Sequence, residues 1–385
     1  MKRKICFVTG TRAEYGLMSR LMKLVKNDDQ LELQIVATNM HLSPEFGMTA
    51  REIEADGLVI DKKVEMLLSA DTPSSIAKSV GVEFIGLADA YRDLAPHLLV
   101  ILGDRYEMLS AAATALFFGI PVAHISGGDV TEGAYDDAIR HAITKMSHLH
   151  FATTEVYRKR VVQLGEQPET VFNTGSLAID NIRHTPLMSR EELEKSINFG
   201  LGSRCVLATF HPVTLESEPA DVQFDALLKA LHKEGCNIIF THPNADNGGR
   251  NIIQTINNYV AAHPEKAVAF ASMGQMRYLS AMKWVDAVVG NSSSGIVEAP
   301  SMGTPTVNIG NRQAGRLQAT SIINCRPREE AIARAIGRAL SAPFRQVAAN
   351  AINPYEQPNT AQRIYQVIKN HPLAEITRKH FYDLP

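Results

Sequence analysis

The stretch from residue 285 to residue 316 constrains the fold of this 385-residue chain more than any other. Residues 285–289 form a short apolar run, typical of a buried parallel strand. The run ends in Gly290-Asn291-Ser292-Ser293-Ser294-Gly295, after which the spacing is helical. Free backbone N–H groups, a helix N-terminus and serine hydroxyls at such a turn favour an anion. A serine-rich helix N-cap without a ligand explains the same residues equally well.

The residues that follow this loop add complementary chemistry. Glu298 lies one turn into the predicted helix, where its carboxylate can accept two hydrogen bonds from a sugar diol. Residues 303–310 indicate a turn and a further strand, and Arg312 follows them. The stretch therefore combines donors for a diphosphate, an acceptor for a ribose and a nearby cation.

Strand-like runs alternate with helical spacing along the whole chain, which predicts open parallel sheets covered on both faces. The length favours two domains. The polar residues 184–202 indicate a linker, and one or two helices are predicted in the tail, at 360–369 and then 375–381. Ligands bind outside the carboxyl ends of such strands, and polar residues follow strand ends in both halves. We therefore predict two Rossmann-like α/β domains facing a cleft, with residues 1–182 in the first.

The bulk composition excludes several functions. Lysine and arginine total 39 against 41 acidic residues, so no basic field for nucleic acid exists. No apolar run approaches membrane-spanning length. The four cysteines are far apart and match no metal spacing, which predicts a reducing, cytoplasmic setting.

The first strand is followed by a loop with only two glycines, at Gly10 and Gly16. This departs from the Gly-x-Gly-x-x-Gly dinucleotide pattern, so a nicotinamide cofactor is disfavoured. Arg12 in this loop, like Arg105 and Arg312, follows a strand end, where a guanidinium can bind phosphate oxygens in a bidentate way. All three could equally be surface arginines without a ligand.

Several aspartates are candidates for acid–base chemistry. Asp104 directly follows a buried strand, and Asp129, Asp136 and Asp137 cluster beside a Gly-Gly loop. Carboxylates in one cleft shift each other's pKa values apart, which suits a general acid and a general base. A strand-end ion pair would also explain Asp104, and stabilisation by a helix N-terminus would also explain Asp136 and Asp137.

Histidines at strand ends are the remaining candidates. His211 and His242 each precede a proline, and either can bind phosphate or cap its strand. His148 and His150 share one face of an extended segment, but further ligands at metal-binding spacing are missing, so no metal site is predicted.

Taken together, these motifs resemble those of the hydrolysing UDP-N-acetylglucosamine 2-epimerases, most closely the bacterial branch that serves sialic and legionaminic acid synthesis. The likeness spans nearly the whole chain. In chain order the motifs are Gly10-Thr11-Arg12-Ala13-Glu14-Tyr15, Gly103-Asp104-Arg105, Gly127-Gly128-Asp129, Asp136-Asp137-x-x-Arg140-His141, His211-Pro212, Gly290-Asn291-Ser292-Ser293-Ser294-Gly295 and Gly310-Asn311-Arg312-Gln313.

The resemblance implies a glycosyltransferase-B-like fold with a nucleotide-binding domain at 183–362 and a C-terminal helix, within 363–385, that returns to the first domain. It implies that UDP-N-acetylglucosamine and water give N-acetylmannosamine and UDP through a glycal, with no cofactor and no metal. Carried over by position, the roles are acid and base for Asp104 and Asp136, phosphate binding for His211, Ser292 and Ser293, ribose binding for Glu298, cleft lining for Arg12, Arg105 and Arg312, and nucleotide contact for Asn244.

One position departs from the family pattern. Some relatives carry a catalytic glutamate where this chain has Ser126, so Asp129 or Asp137 takes that role or the substrate differs. Close relatives act on a nucleotide-linked 2,4-diacetamido-2,4,6-trideoxyhexose, and that substrate stays open. A glycosyltransferase, or a non-catalytic nucleotide-sugar sensor, on the same fold would also account for these motifs. We expect a UDP-sugar as the ligand and a homodimer or homotetramer as the assembly.

Overall fold

The computed structural model describes residues 2–70, 72–132, 135–212, 219–243 and 249–384. The chain divides into two compact units. The first comprises residues 1–129, 135–181 and 357–385, and the second comprises residues 130–134 and 182–356. Within the described residues, no helix is both long and apolar enough to traverse a lipid bilayer.

The first unit is a parallel sheet with helices on both faces. Its strands are β1 (Arg3–Thr9), β2 (Leu31–Thr38), β3 (Lys62–Val64), β4 (Leu98–Leu102), β5 (Val122–Ile125), β6 (Leu149–Ala152) and β7 (Val171–Asn173). Its helices are α1 (Arg12–Lys26), α2 (Ala50–Ala55), α3 (Pro73–Leu94), α4 (Tyr106–Phe117), α5 (Asp136–Met146), α6 (Glu155–Gln163) and α7 (Leu177–His184), whose last residues belong to the second unit. Short 3-10 turns lie at Asn39–Leu42, Pro44–Phe46 and Pro168–Thr170.

The strand order of this sheet is β3-β2-β1-β4-β5-β6-β7. Strands β2 and β3 are added on one side of β1 and strands β4 to β7 on the other, so the strand order reverses between β1 and β4. Successive side chains of β1 point to opposite faces of the sheet and pack into two different cores. Ile5 and Phe7 join the core packed under α1, and Cys6 and Val8 join the core packed under α3 and α4. In such sheets the crevice at the reversal point is where ligands bind.

The second unit repeats this architecture. Its strands are β8 (Cys205–Thr209), β9 (Asn237–Thr241), β10 (Ala267–Phe270), β11 (Ala287–Gly290), β12 (Thr306–Ile309) and β13 (Ile322–Cys325). Its helices are α8 (Arg190–Ile197), α9 (Ala220–Glu234), α10 (Gly249–Ala262), α11 (Gly274–Trp284), α12 (Ser293–Val297), α13 (Ala299–Met302), α14 (Glu329–Ala339) and α15 (Ala342–Ala349). The strand order is β10-β9-β8-β11-β12-β13, with the reversal between β8 and β11. Two Rossmann-like α/β domains, the predicted fold class, are therefore confirmed.

The segment 184–202, predicted to be a linker, contains α8 instead. Ser189 and Glu192 form a capping box at its N-terminus. Leu193 and Ile197, one turn apart, are buried in a core of the second unit. The many charges of this segment belong to the outer face of an amphipathic helix, which is why the composition alone was misleading.

The end of the chain returns to the first unit, as the fold class predicted. Helix α16 (Thr360–Asn370) buries Ile364 and Ile368 in the core that α1 also covers. The helix predicted at 375–381 is absent, and that expectation is wrong. Lys379 instead pairs with buried Glu166 at 2.5 Å, and the ring of Phe381 fills the space beside Gly165. These long-range contacts, rather than local helical hydrogen bonds, hold the tail.

Candidate active site

The reversal point of the first sheet lies between two loops that carry predicted site residues. The loop after β1 is Gly10-Thr11, and Arg12 is the first residue of α1. Thr11 caps that helix and forms a capping box with Glu14. Burial lowers the pKa of the Arg12 guanidinium, and the charge of Glu52 opposes this effect. Arg12 thus begins its helix at the sheet edge where parallel α/β sheets bind ligands.

The loop after β4 presents Asp104 and Arg105. Gly103 has a φ of 83°, a conformation that favours glycine. Nε2 of buried His124 lies 2.8 Å from the Gly103 carbonyl oxygen. Burial lowers the pKa of His124 to about 3, so this imidazole is neutral and its Nε2–H donates to the carbonyl. The backbone directly before Asp104 is therefore held by the hydrogen bond from His124 to Gly103.

Buried Arg140 on α5 gathers two of the predicted acids. Its guanidinium pairs with Asp104, and its Nη1 lies 3.7 Å from Asp137 Oδ1. Asp137 also lies 3.6 Å from Nε2 of His141, whose pKa is lowered by burial. The structure thus brings Asp104 and Asp137 to one cation.

The other two acids occupy separate positions. Asp136 is the first residue of α5 and half-buried. Asp129 is buried and accepts a 2.9 Å hydrogen bond from the Thr153 hydroxyl, near the end of β6. Ser126, which stands where some relatives carry glutamate, has a φ of 66° directly after β5. Asp129 is thus bound at the β6 end, and Asp136 lies on the same helix as Arg140.

The buried carboxyl group of Glu14 holds the loop after β1 through hydrogen bonds to its backbone. Glu14 Oε2 accepts hydrogen bonds from the backbone N–H groups of Gly10 (2.8 Å) and Thr11 (3.2 Å). Burial raises the pKa of Glu14 to about 8, and the charge of Glu107 adds to the effect. The carboxyl group is therefore protonated in the folded chain near neutral pH.

This raised pKa predicts how the stability of the protein changes with pH. The folded-state pKa lies above the ordinary value of 4.5, so the contribution of Glu14 to stability is complete below that value. It is lost as the pH rises through about 8. Between about pH 6 and about pH 9, the wild type should lose on the order of 2 kcal/mol more unfolding free energy than Glu14→Gln, which stays neutral.

Urea unfolding of both proteins at the two pH values measures this difference. Glutamine keeps an oxygen that can accept the two backbone hydrogen bonds, so it is a close steric match. An identical pH dependence in the two proteins would show that Glu14 does not carry the proton.

In the second unit, Asn291 ties two strand ends together at the reversal point. Its side chain accepts from the His211 backbone N–H at 2.7 Å and donates to the His211 carbonyl oxygen at 2.8 Å. A Cβ at Gly290 would lie 1.9 Å from the Thr209 carbonyl oxygen, so only glycine allows β11 and β8 to approach this closely. The pKa of buried His211 is well below its ordinary value, first through burial and then through the Arg312 charge. His211 therefore offers a neutral imidazole.

The serine loop follows directly. Ser292 is half-buried and caps the short helix α12, and Ser293 is its first residue. Glu298 was predicted one turn inside a helix, but it lies at the C-cap of α12, immediately before α13. Burial raises the pKa of Glu298, and a hydrogen bond from Ser294 lowers it. The loop thus presents hydroxyl groups and one carboxyl group within seven residues.

Arg312 comes from the next strand end. Its Nη1 donates to the Asn291 carbonyl oxygen at 3.2 Å, and Gln313 Nε2 donates to the same oxygen at 2.8 Å. Arg316, four residues further on, donates to the Val130 carbonyl oxygen at 2.8 Å. The predicted nucleotide contact Asn244 lies outside the described residues.

The structure therefore assembles two groups, one in each unit. Asp104 and Asp137 meet at Arg140 in the first unit, and His211, Arg312 and the serine loop meet around Asn291 in the second. Arg140, Asn291 and Gln313 belong to the motifs that the sequence analysis named, but no role was predicted for them, and His124 was not named. Arg140 had a further signal, its i+3 spacing from Asp137. Within the part of the chain that the structure describes, no three His, Cys, Asp or Glu side chains are grouped to bind a metal ion.

A family model for UDP-N-acetylglucosamine 2-epimerase matches residues 23–369. The chain is 44% identical over 385 residues to a Campylobacter jejuni protein named GDP/UDP-N,N'-diacetylbacillosamine 2-epimerase (hydrolyzing), and the match covers 100% of both chains. It is 35% identical over 373 residues to a Legionella pneumophila protein named UDP-N,N'-diacetylbacillosamine 2-epimerase (hydrolyzing), with 97% of each chain covered. These matches extend over both units.

Among solved structures, UDP-GlcNAc 2-epimerase from Neisseria meningitidis bound to UDP-GlcNAc superposes with a TM-score of 0.79 at 18% identity, covering 95% of this chain and 99% of that one. This similarity shows the fold, which is of the glycosyltransferase-B type. The family model and the two relatives define an enzyme of the nucleotide-sugar 2-epimerase class. The chain belongs to the UDP-N-acetylglucosamine 2-epimerase family, so the predicted resemblance is confirmed.

Proposed function

We propose that this enzyme is a hydrolysing 2-epimerase whose substrate is a nucleotide-linked 2,4-diacetamido-2,4,6-trideoxyhexose. The choice of sugar is supported by the two relatives named for diacetylbacillosamine, one of them 44% identical along the full chain. UDP-N-acetylglucosamine, giving N-acetylmannosamine for sialic acid synthesis, is the second candidate. The family description supports it.

The observation that carries the reaction type is a group of three carboxylates at buried Arg140: Asp104 and Asp137 contact its guanidinium, and Asp136 begins the same helix. A base removes the proton at C2 while the C1–O bond breaks and the nucleoside diphosphate leaves, which gives a C1–C2 glycal. Water then adds its hydroxyl group to C1 and a proton returns to C2 from the opposite face. One carboxylate therefore has to accept a proton and another has to deliver one.

We assign these two roles to Asp104 and Asp136. The Arg140 cation favours the ionised form of Asp104, the form that accepts a proton. Asp136 lies on the helix that also supplies Arg140. Asp137 takes the place of the glutamate that some relatives carry at Ser126, because it shares Arg140 with Asp104. Asp129, bound by Thr153, is the second candidate for that place.

The second unit supplies the nucleotide-binding groups. In this proposal His211, Ser292 and Ser293 bind the diphosphate. A neutral imidazole and hydroxyl groups can each donate a hydrogen bond to a phosphate oxygen without being protonated to a cation. Glu298 accepts from the ribose hydroxyls, and Arg312 neutralises charge on the leaving diphosphate. In the first unit, Arg12 and Arg105 contact the substrate. Asn244 is assigned to the nucleotide on the resemblance alone.

We also propose that the enzyme works as a homodimer or homotetramer. Leu116, Phe117 and Phe118 at the end of α4 are exposed, as are Val82 and Ile85 on the neighbouring helix α3. These exposed apolar side chains on two neighbouring helices are our candidates for the subunit interface, which a second copy of the chain would cover symmetrically. Light scattering should give at least twice the 42.3 kDa chain mass, and a monomer would refute the proposal.

The product assay tests the function directly. Purified enzyme in deuterated water is incubated with UDP-diacetylbacillosamine and, in parallel, with UDP-N-acetylglucosamine. We expect UDP release and one deuterium at C2 of the freed sugar, because the acid that protonates C2 carries a deuteron taken from the solvent. The larger kcat/KM is expected on the diacetamido sugar.

Four results would argue otherwise. Faster turnover of UDP-N-acetylglucosamine would reverse the order of the two substrates. UDP release without deuterium at C2 would exclude elimination through a glycal. Turnover only with an added sugar acceptor would identify a glycosyltransferase instead, and UDP binding with no turnover on either sugar would identify a sensor.

A further inference from the structure

Glu107 is a fully buried carboxylate that the proposed chemistry does not use. Helix α4 begins at Tyr106, so Glu107 lies in the first turn of this helix. Its Oε1 accepts a hydrogen bond from Arg105 Nε at 2.8 Å. A buried charge of this kind is costly unless it is paired, so the contact with Arg105 accounts for its presence.

The same carboxylate also supports the neighbouring loop. A Cβ at Gly10 would lie 2.5 Å from Glu107 Oε1 and 2.8 Å from its Cγ. Gly10 therefore packs directly on Glu107, and its N–H is held from the other side by Glu14. Glu107 thus touches both loops at the reversal point, the one that precedes Arg12 and the one that contains Arg105.

The charges around Glu107 show that its partner is Arg105. Two other glutamates are buried nearby, Glu14 on α1 and Glu83 on α3, where Ser110 donates to the Glu83 carboxyl group. Burial raises the pKa of both groups, and the charge of Glu107 contributes to each shift. Each of the three glutamates keeps one oxygen with no hydrogen-bond partner among the described residues. Arg105 is the basic group that pairs with this cluster.

Arg105 itself is held in a defined plane. Its guanidinium carbon lies 5.4 Å from the centroid of the Tyr106 ring, and the Tyr106 hydroxyl accepts from Asn39 Nδ2 at 3.3 Å. One edge of the guanidinium is thus directed to Glu107, and its central carbon lies over an aromatic ring. These contacts restrict the orientation in which this planar cation can meet a ligand.

We infer that Glu107 is a positioning residue that orients Arg105 for substrate binding at the edge of the first sheet. The inference rests on the proposed function, in which Arg105 contacts the nucleotide sugar. Glu107 lies behind Arg105 and acts through it, so its loss should affect substrate affinity more than the chemical step.

Glu107→Gln tests this role, because glutamine keeps the shape and one acceptor oxygen but removes the charge. We expect KM to rise about tenfold and kcat to change by less than about threefold. Glu83→Gln is the matched control, a fully buried glutamate of the same cluster whose partner is Ser110 rather than an arginine. Its KM should stay within about twofold of wild type, since this substitution leaves the contact between Glu107 and Arg105 in place.

A double-mutant cycle with Arg105→Lys distinguishes positioning from general loss of structure. If Glu107 acts through Arg105, the double variant should have a KM no more than about twofold above that of Arg105→Lys alone. Multiplicative effects, or an equal rise of KM in Glu83→Gln, would overturn the inference. Absence of wild-type turnover on either sugar would instead count against the proposed function, so the two failures are separable.

Discussion

Asp104→Asn is expected to lower kcat by about 10²- to 10⁴-fold on the preferred sugar, the range associated with losing a general acid or base. Asparagine keeps the size of the side chain and an oxygen that can accept from Arg140, but it cannot accept a proton. The proposed diphosphate ligands all belong to the second unit. The dissociation constant for UDP should therefore change by less than about threefold, which is under 1 kcal/mol.

Steady-state kinetics and calorimetric UDP binding on the same preparations measure the two quantities. The matched control is Asp89→Asn, which breaks another aspartate–arginine pair, 2.8 Å long, on the exposed surface of α3. Its activity should stay at the wild-type level, because exposed pairs contribute little. Weakened UDP binding in Asp104→Asn would mean that Asp104 supports the nucleotide rather than the reaction, and normal turnover would remove it from the mechanism.

The sequence predicted the fold well where local patterns decide the structure. Central strands such as β4 and β11 are short apolar runs bounded by glycine or polar residues, and they lie where expected. The edge strand β3 has the sequence Lys-Lys-Val and was missed, because it is short, polar and stabilised mainly by pairing with β2. The C-terminal tail was mispredicted for a related reason, since Lys379 is held by Glu166, more than 200 residues away in the chain.

The residues of the candidate site were likewise predictable only where a local pattern marks them. Residues that directly follow buried strands, such as Asp104 and His211, were found because parallel sheets bind ligands at that edge. The partners that orient them were not found, because Arg140 pairs with Asp104 across 36 positions. Asn291 binds His211 across 80. No periodicity links such residues, so the supporting contacts required the structure.

Gly290→Ala is expected to destabilise the protein by more than about 4 kcal/mol, a loss reserved for severe backbone or core conflicts. The φ of Gly290 is 139°, and an added Cβ would lie 1.9 Å from the Thr209 carbonyl oxygen, an atom of the paired strand that cannot rotate away. Separating β11 from β8 would also break the hydrogen bonds by which Asn291 holds His211. UDP affinity should therefore fall together with stability.

Two other glycines of the second unit separate the causes of this loss. Gly310 also has a positive φ, 73°, but the nearest atom to its added Cβ would be 3.9 Å away, so Gly310→Ala should cost only about 1 to 2 kcal/mol of backbone strain. Gly200 has open space and no positive φ, and Gly200→Ala should leave the urea midpoint essentially unchanged. The urea midpoint should therefore be highest for Gly200→Ala, lower for Gly310→Ala and lowest for Gly290→Ala. A Gly290→Ala protein as stable as Gly310→Ala would mean that β11 and β8 can separate without harm, and the close approach of these strands would then not be what holds the serine loop in place.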